Sequence, residues 1–394
     1  MKLWKHVYEK TKILIAALPP FDGGVSSVYF DFPSVRVCGM KLFTVGPVAC
    51  YPEVLEEMKR QMFSHRSEEY KKLHGDTVEM LQRFLETENQ VFLFPGSGTG
   101  FMEGAVRNCV DKKMLCCVNG SFGSRFADVA VSNGRSVEML DVPLGEPVKP
   151  DLLDDKLLKC PDVEAVSITH SETSVGLLNP LQKLAEVVKN HGKLLFVDAV
   201  SSMGGVNIEV DEWGLDVCFS SSQKCFGVPP GLAVGSVSEE ALKRSEVAKD
   251  KGWYFDFKLF ESYQKNAGTP MTPPIPQILG LNRILRMIDS MGGKEKYFNL
   301  YSERNRRIGD GVKELGLTLF PREGYESPTV TCVKAPSGLS GIEIYDGMRG
   351  RGFELAKGYG SIKEVTFRIG NMGYIEFEDI ELMLKALGEV LSTL

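Results

Sequence analysis

Seven short apolar runs, spaced by helical patterns, constrain this chain more than any other feature. They are QVFLF (90–94), MLCCV (114–118), SVEMLDV (136–142), AVSITH (165–170), KLLFVDAV (193–200), LDVCFS (215–220) and GLAVGSVS (231–238). A continuous apolar run fits a strand buried on both faces, and parallel strands covered on each side by helices need such runs. Between them FMEGAVRNCV, SRFADVAVSNG and PLQKLAEVVKNHG repeat apolar positions at helical spacing. The predicted fold class is α/β, with an open and mostly parallel sheet.

The flanks read differently. Residues from Pro52 to about Glu86 follow a helical pattern. A proline-rich break, TPMTPPIPQ (269–277), precedes a long helical stretch from about Ile278 to Leu315, interrupted near Gly292 and Gly293. TVTCVKA, GIEIYDGMRGRG, EVTFRIG and FEDIELMLKALGEVL then predict a small α+β unit. The expected organisation is an N-terminal arm over 1–42, a large domain over 43–290 and a small domain over 291–394, with a linking helix at about 278–315. The opening stretch, MKLWKHVYEKTKILIAALPP, has only a short apolar core before Pro19 and Pro20 and no small-x-small site, so it reads as arm rather than signal peptide.

Composition excludes several functions. Of 394 residues, 43% are hydrophobic and 25% charged, an ordinary globular balance. Lys and Arg number 46 against 52 Asp and Glu, a net charge of -6 that gives no electrostatic reason to expect nucleic acid or an anionic membrane surface. No apolar run reaches the length of about 18 residues that a membrane span needs. The nine cysteines form no Cys-x-x-Cys and no Cys/His cluster with zinc spacing. No metal is expected, and free thiols in a reducing, cytoplasmic compartment are.

Three stretches offer chemistry. PGSGTG (95–100) joins a strand to a helix, so Ser97, Gly98 and Thr99 stand where free N–H groups can cradle a phosphate. The plainer reading is a tight strand–helix turn, and no Gly-Lys-Ser/Thr follows to make a Walker loop. Asp198 ends KLLFVDAV, at the edge where open α/β sheets bind ligands. It serves there as a helix N-cap or loop charge, or as the partner of a cofactor cation. Lys224, in FSSSQKCFGVPPG, follows one strand later at the same edge. It is either a loop charge or an amine nucleophile. Together, a phosphate cradle, a carboxylate for a pyridine nitrogen and a lysine for an aldehyde form the constellation that pyridoxal 5'-phosphate requires.

On these residues the chain resembles the class V aminotransferases, in the branch of the alanine–glyoxylate and serine–pyruvate enzymes. The similarity starts at about FTVGP (43–47) and continues through PGSGTGFMEGAV, VNGSFGSRFADVA, THSETSVGLLNPL, LLFVDAVSSMGG, FSSSQKCFGVPPG, GTPMTPPIP and FRIGNMG, in family order. It implies a fold type I transferase that uses pyridoxal phosphate, with a smaller C-terminal α+β domain and homodimers sharing their active sites. It implies ping-pong transamination between serine or alanine and pyruvate or glyoxylate. Phosphoserine, aspartate and aminoethylphosphonate are the alternative donors.

The resemblance also implies roles. Ser97, Gly98, Thr99 and Gln223 would hold the phosphate. Phe122 would stack on the ring, where relatives often carry Trp, and Val200 would pack on it. Thr173 would lie by the ring oxygen, and Asp198 would pair with the pyridine nitrogen. Lys224 would bind the aldehyde as a Schiff base and move the substrate proton. Arg368 would bind the substrate carboxylate, with Gly46 lining that end. Relatives often have a Tyr that reaches a phosphate across the dimer, but Met271 stands there and cannot donate. Thr269 or Thr272 is expected to substitute. His65 and Arg66, in SHRSEEY, match a segment near the entrance or else cap a helix, and His170 is a candidate cofactor contact. A cysteine desulfurase would place His where Gln223 stands, and would carry a loop Cys in the C-terminal part, where Cys332 lies in an apparent strand. A non-catalytic relative would be expected to lose the lysine or the aspartate.

Overall fold

The computed structural model describes residues 39–394. All but the last few residues of the expected N-terminal arm lie outside that range. Met40–Leu394 form one compact unit.

All seven apolar runs are strands of one sheet. They are β1 (Gln90–Gly96), β2 (Lys113–Val118), β3 (Ser136–Asp141), β4 (Ala165–Thr169), β5 (Leu194–Asp198), β6 (Val217–Ser221) and β7 (Gly231–Val237), in the spatial order β1-β7-β6-β5-β4-β2-β3. Every residue of β4, β5 and β6 is buried, which is why these runs do not alternate. Neighbours are parallel except at β7, which is antiparallel to both β1 and β6. The reversal has a simple cause. The connection from Ser222 to Pro230 is shorter than the dozen or so residues that a parallel crossover needs. Six strands therefore end at one edge, and that edge collects Ser97, Asn119, His170, Ala199 and Ser222.

Helices cover both faces. Phe94 anchors one layer, stacked on Phe260 with centroids 4.1 Å apart and tilted against Phe101 at 5.0 Å. This aromatic cluster lies beneath the PGSGTG turn. The helical stretch expected from Pro52 is two helices, Pro52–Met58 and Glu68–Leu85, the second starting where the Ser67 side chain accepts the Tyr70 N–H. The stretch after the proline-rich break is Ile275–Ser290 and Lys294–Glu314, parted at Gly292 and Gly293 as predicted.

The C-terminal part carries an antiparallel sheet of β8 (Thr318–Leu319), β9 (Val330–Lys334), β10 (Ala356–Lys357) and β11 (Thr366–Gly370), in the order β8-β9-β11-β10. Arg368 sits on β11, level with Cys332 and Ala356. The start of the described chain joins this part. Lys41–Leu42 pairs with Phe353–Glu354, the Phe43 carbonyl accepts the Gly370 N–H at 2.7 Å, and the Phe43 ring is buried among Phe367, Ile369 and Met383. Residues just after Phe43 thereby run toward the edge of the large sheet. No helix among the described residues is long and apolar enough to cross a membrane.

Candidate active site

Lys224 is presented by a closed turn after β6. The Val228 N–H donates to the Ser222 carbonyl at 3.0 Å, and the Gly227 N–H donates to the Lys224 carbonyl at 2.8 Å. The lysine is 8% exposed, so it is not a loop charge. Its Nζ donates to the Val45 carbonyl, delivered by the segment that follows Phe43. Gly46 is required beside it. Its φ is +124°, and a Cβ there would lie 2.7 Å from Lys224 Cε and 2.9 Å from Nζ.

Burial lowers the Lys224 pKa to about 8, and the charges of Arg368 and Arg125 push the same way. Only the neutral amine attacks an aldehyde. The rate at which the apoprotein captures pyridoxal phosphate should therefore rise roughly fiftyfold from about pH 6 to about pH 8 and then level off. Stopped-flow absorbance measures it. A plateau reached only near pH 10 would contradict the burial of this amine.

Asp198 ends β5 and is 3% exposed. Its Oδ1 accepts the Val200 N–H at 2.9 Å. Burial raises its pKa to about 6, the nearby Glu172 carboxylate adds to this, and the Val200 N–H opposes. A carboxylate so placed gains most from a cation set against it. Beside it the Gly98 N–H donates to Ser221 Oγ at 2.7 Å. A Cβ on Gly98 would come within 2.5 Å of Val200 Cγ2, so the PGSGTG turn approaches the Asp198 strand as only glycine can. Ser97 and Thr99 flank it and are exposed. Gln223 is half-buried, and its Oε1 is a buried atom with no hydrogen-bond partner. His170 is buried and donates its N–H to the Asp198 carbonyl at 2.9 Å, while its ring Nδ1 also lacks a partner. Burial pushes that imidazole down to about 3, which keeps it neutral.

The hairpin after β4 ties the next group together. Glu172 is fully buried, and its Oε2 accepts the N–H groups of Phe122 at 3.0 Å and Gly123 at 3.1 Å. It thus caps the Ser121–Ser132 helix from across the sheet edge. Its neighbour Thr173 shares a hydrogen bond with Ser201 Oγ at 2.6 Å and accepts Arg368 Nη1 on its carbonyl at 3.0 Å. Arg368 Nε donates to the Lys357 carbonyl at 3.0 Å. The guanidinium is 6% exposed, and no carboxylate among the described residues pairs with it. Tyr359 joins the two halves. Its ring stacks on Phe122 at 6.0 Å, lies 5.4 Å from the Arg368 guanidinium carbon, and its hydroxyl accepts Arg125 Nη2 at 3.1 Å. Arg125 lies 4.7 Å over the Phe122 ring.

Lys224, Asp198, Gly98, Val200, Gly46, Thr173 and Arg368 are therefore one neighbourhood. Glu172, Val45, Ser221, Tyr359 and Arg125 belong to it without having been singled out. Glu172 and Arg125 lie inside motifs already quoted. Tyr359 lies in a segment that matches no motif. Thr269 and Thr272 are placed differently. The Thr269 hydroxyl donates to the Met271 carbonyl at 2.8 Å, and Thr272 is exposed. Thr269 lines a cleft of about 330 Å³ with His65, Arg66, Lys71 and Tyr263. Lys224 and Asp198 do not line that cleft.

Sheet order, reversed strand and buried lysine edge are those of the fold type I transferases that depend on pyridoxal phosphate. The chain belongs to the aminotransferase class-V family, whose profile matches residues 50–339. It is 35% identical to an uncharacterised aminotransferase of Methanocaldococcus jannaschii, over 88% of this chain and 93% of that protein. It is 32% identical to the L-aspartate–glyoxylate aminotransferase of Paracoccus denitrificans, over 84% and 86%. The solved alanine–glyoxylate aminotransferase of Nostoc sp. superposes with a TM-score of 0.86 at 28% identity, covering 95% of this chain and 97% of that one.

Proposed function

We propose that this aminotransferase holds pyridoxal 5'-phosphate on Lys224 and exchanges the amino group of serine or alanine with pyruvate or glyoxylate in a ping-pong sequence. One observation carries the reading. Lys224, Asp198 and Arg368 are all buried, the charges of Asp198 and Arg368 both act on the Lys224 ionisation, and none of the three has an ion-pair partner among the described residues. Unpaired buried charges are costly unless a ligand completes them.

The residues fit the cofactor. The glycine approach at Gly98 and the hydroxyls of Ser97 and Thr99 suit a phosphate, and Gln223 would add its side-chain amide N–H. Asp198 suits a protonated pyridine nitrogen, and Phe122, Val200 and Thr173 would line the ring. When bound, the cofactor supplies an aldehyde and an electron sink. The chain supplies the rest. Arg368 binds the substrate carboxylate by a planar, two-pronged contact. Lys224 Nζ, neutral near pH 8, accepts the proton from the substrate Cα and later releases it. Asp198 would hold its charge against the ring nitrogen. Arg368→Lys should raise KM for amino and oxo acids about 100-fold while the visible absorbance of bound cofactor stays unchanged. Steady-state kinetics checks it.

A second reading, transfer from a donor carrying a further anion such as aspartate, aminoethylphosphonate or phosphoserine, is favoured by Arg125. It is a second guanidinium with no carboxylate partner among the described residues, and its charge acts on both Lys224 and Asp198. A donor screen against glyoxylate and pyruvate separates the two. Serine or alanine as best donor supports the first reading, an acidic donor the second, and no product from any amino acid overturns both. We also place the protein in the cytoplasm as a homodimer, with Thr269 or Thr272 turned toward the partner's phosphate. The eight described free cysteines and the separation of Thr269 from Lys224 support that placement.

A further inference from the structure

Lys224 and Arg368 come from different sheets, and a substrate must reach both at once. One element bonded to both parts is the linking helix, Lys294–Glu314. Tyr297, Tyr301 and Arg304 stand on one face of it, four and three residues apart, and are 1%, 0% and 4% exposed. The hydroxyls of Tyr297 and Tyr301 both donate to the Cys225 carbonyl, at 2.8 and 2.7 Å. Cys225 is the residue after Lys224, so two phenols grip the lysine turn.

Tyr301 and Arg304 grip the exit of the Arg368 strand. The Gly373 N–H donates to the Tyr301 hydroxyl at 3.3 Å. Arg304 Nη1 donates to the Gly373 carbonyl at 3.1 Å, and its Nη2 to the Ile375 carbonyl. Asn371 Nδ2 donates to the Tyr301 carbonyl at 3.2 Å. Among the described residues, Tyr301 is thus the one side chain that bonds both the residue after Lys224 and a residue just beyond Arg368. A buried network of this kind specifies geometry because every member loses a partner if the two parts shift.

We propose that Tyr301, supported by Tyr297 and Arg304, is a positioning residue that sets the distance between Lys224 and Arg368. This rests on the roles given to those two residues above. A fixed distance should show as selection of chain length, since the bond reacting at Lys224 and the carboxylate bound by Arg368 are set apart by the substrate's own carbons.

The test compares kcat/KM for alanine and β-alanine, whose carboxylate is one methylene further away, in half-reactions of the holoenzyme. In Tyr301→Phe the preference for alanine is expected to fall at least tenfold, with bound cofactor retained. In Tyr297→Phe, which leaves the Gly373 link intact, the preference is expected to change less than twofold. A merely structural tyrosine would lower thermal stability and leave the ratio unmoved, and that result would overturn the proposal. So would equal effects of the two variants. If Tyr301→Phe does not fold, Arg304→Lys is read in the same way, and an unchanged ratio there overturns it too. A wild-type enzyme that converts no amino acid fails the functional reading instead, and this inference with it.

Discussion

Replacing Lys224 with alanine is expected to lower kcat at least about 10⁴-fold and to abolish the visible absorbance of the bound cofactor. Two functions leave with one side chain. In the proposed function the amine would be both the covalent anchor and the base that takes the substrate Cα proton. No other lysine replaces it, because the position depends on the closed turn at Ser222–Val228 and on the space left by Gly46. The variant should fold, since the side chain contributes one hydrogen bond, to the Val45 carbonyl, and a charge whose burial is itself unfavourable. Added methylamine should restore part of the proton-transfer rate and none of the covalent capture. Unaltered turnover in Lys224→Ala would remove this residue from the mechanism.

The second largest effect is expected at Asp198. Asp198→Asn keeps the shape and the Val200 contact but cannot hold a proton on the ring nitrogen. A preorganised charge of this kind is worth roughly 10²- to 10³-fold in rate. The expected result is a kcat loss of that size, a KM within about threefold of wild type, and a bound cofactor whose spectrum is shifted rather than lost. Asp198→Glu, which keeps the charge, should recover part of the loss. Equal losses in the two variants would point to packing at the end of β5 rather than to charge.

Much of this site was legible in the sequence, and the reasons are physical. Strands buried on both faces announce themselves as unbroken apolar runs, so β4, β5 and β6 were visible, and parallel strands place their ends at one edge. Asp198 and the Lys224 turn follow from that alone. The reversal of β7 was implicit in the short connection from Ser222 to Pro230. What escaped depends on pairing between distant segments. Nothing local shows that Lys41–Leu42 pairs with Phe353–Glu354, yet that pairing brings the Val45 carbonyl to Lys224. Tyr359 escaped because its partners, Phe122, Arg125 and Arg368, lie on other elements. The short helix Pro150–Lys159 was missed because only Leu153 and Leu157 of its residues are buried, too few to set a pattern.

The most direct test of the account combines reduction with mass mapping. The holoprotein is treated with borohydride before and after one equivalent of amino donor per site, and peptides are analysed for a phosphopyridoxyl adduct. The account predicts an adduct on Lys224 before the donor, its loss after the donor, and release of one equivalent of 2-oxo acid. An adduct on another lysine, or one on Lys224 that persists in the presence of every amino acid, would contradict it.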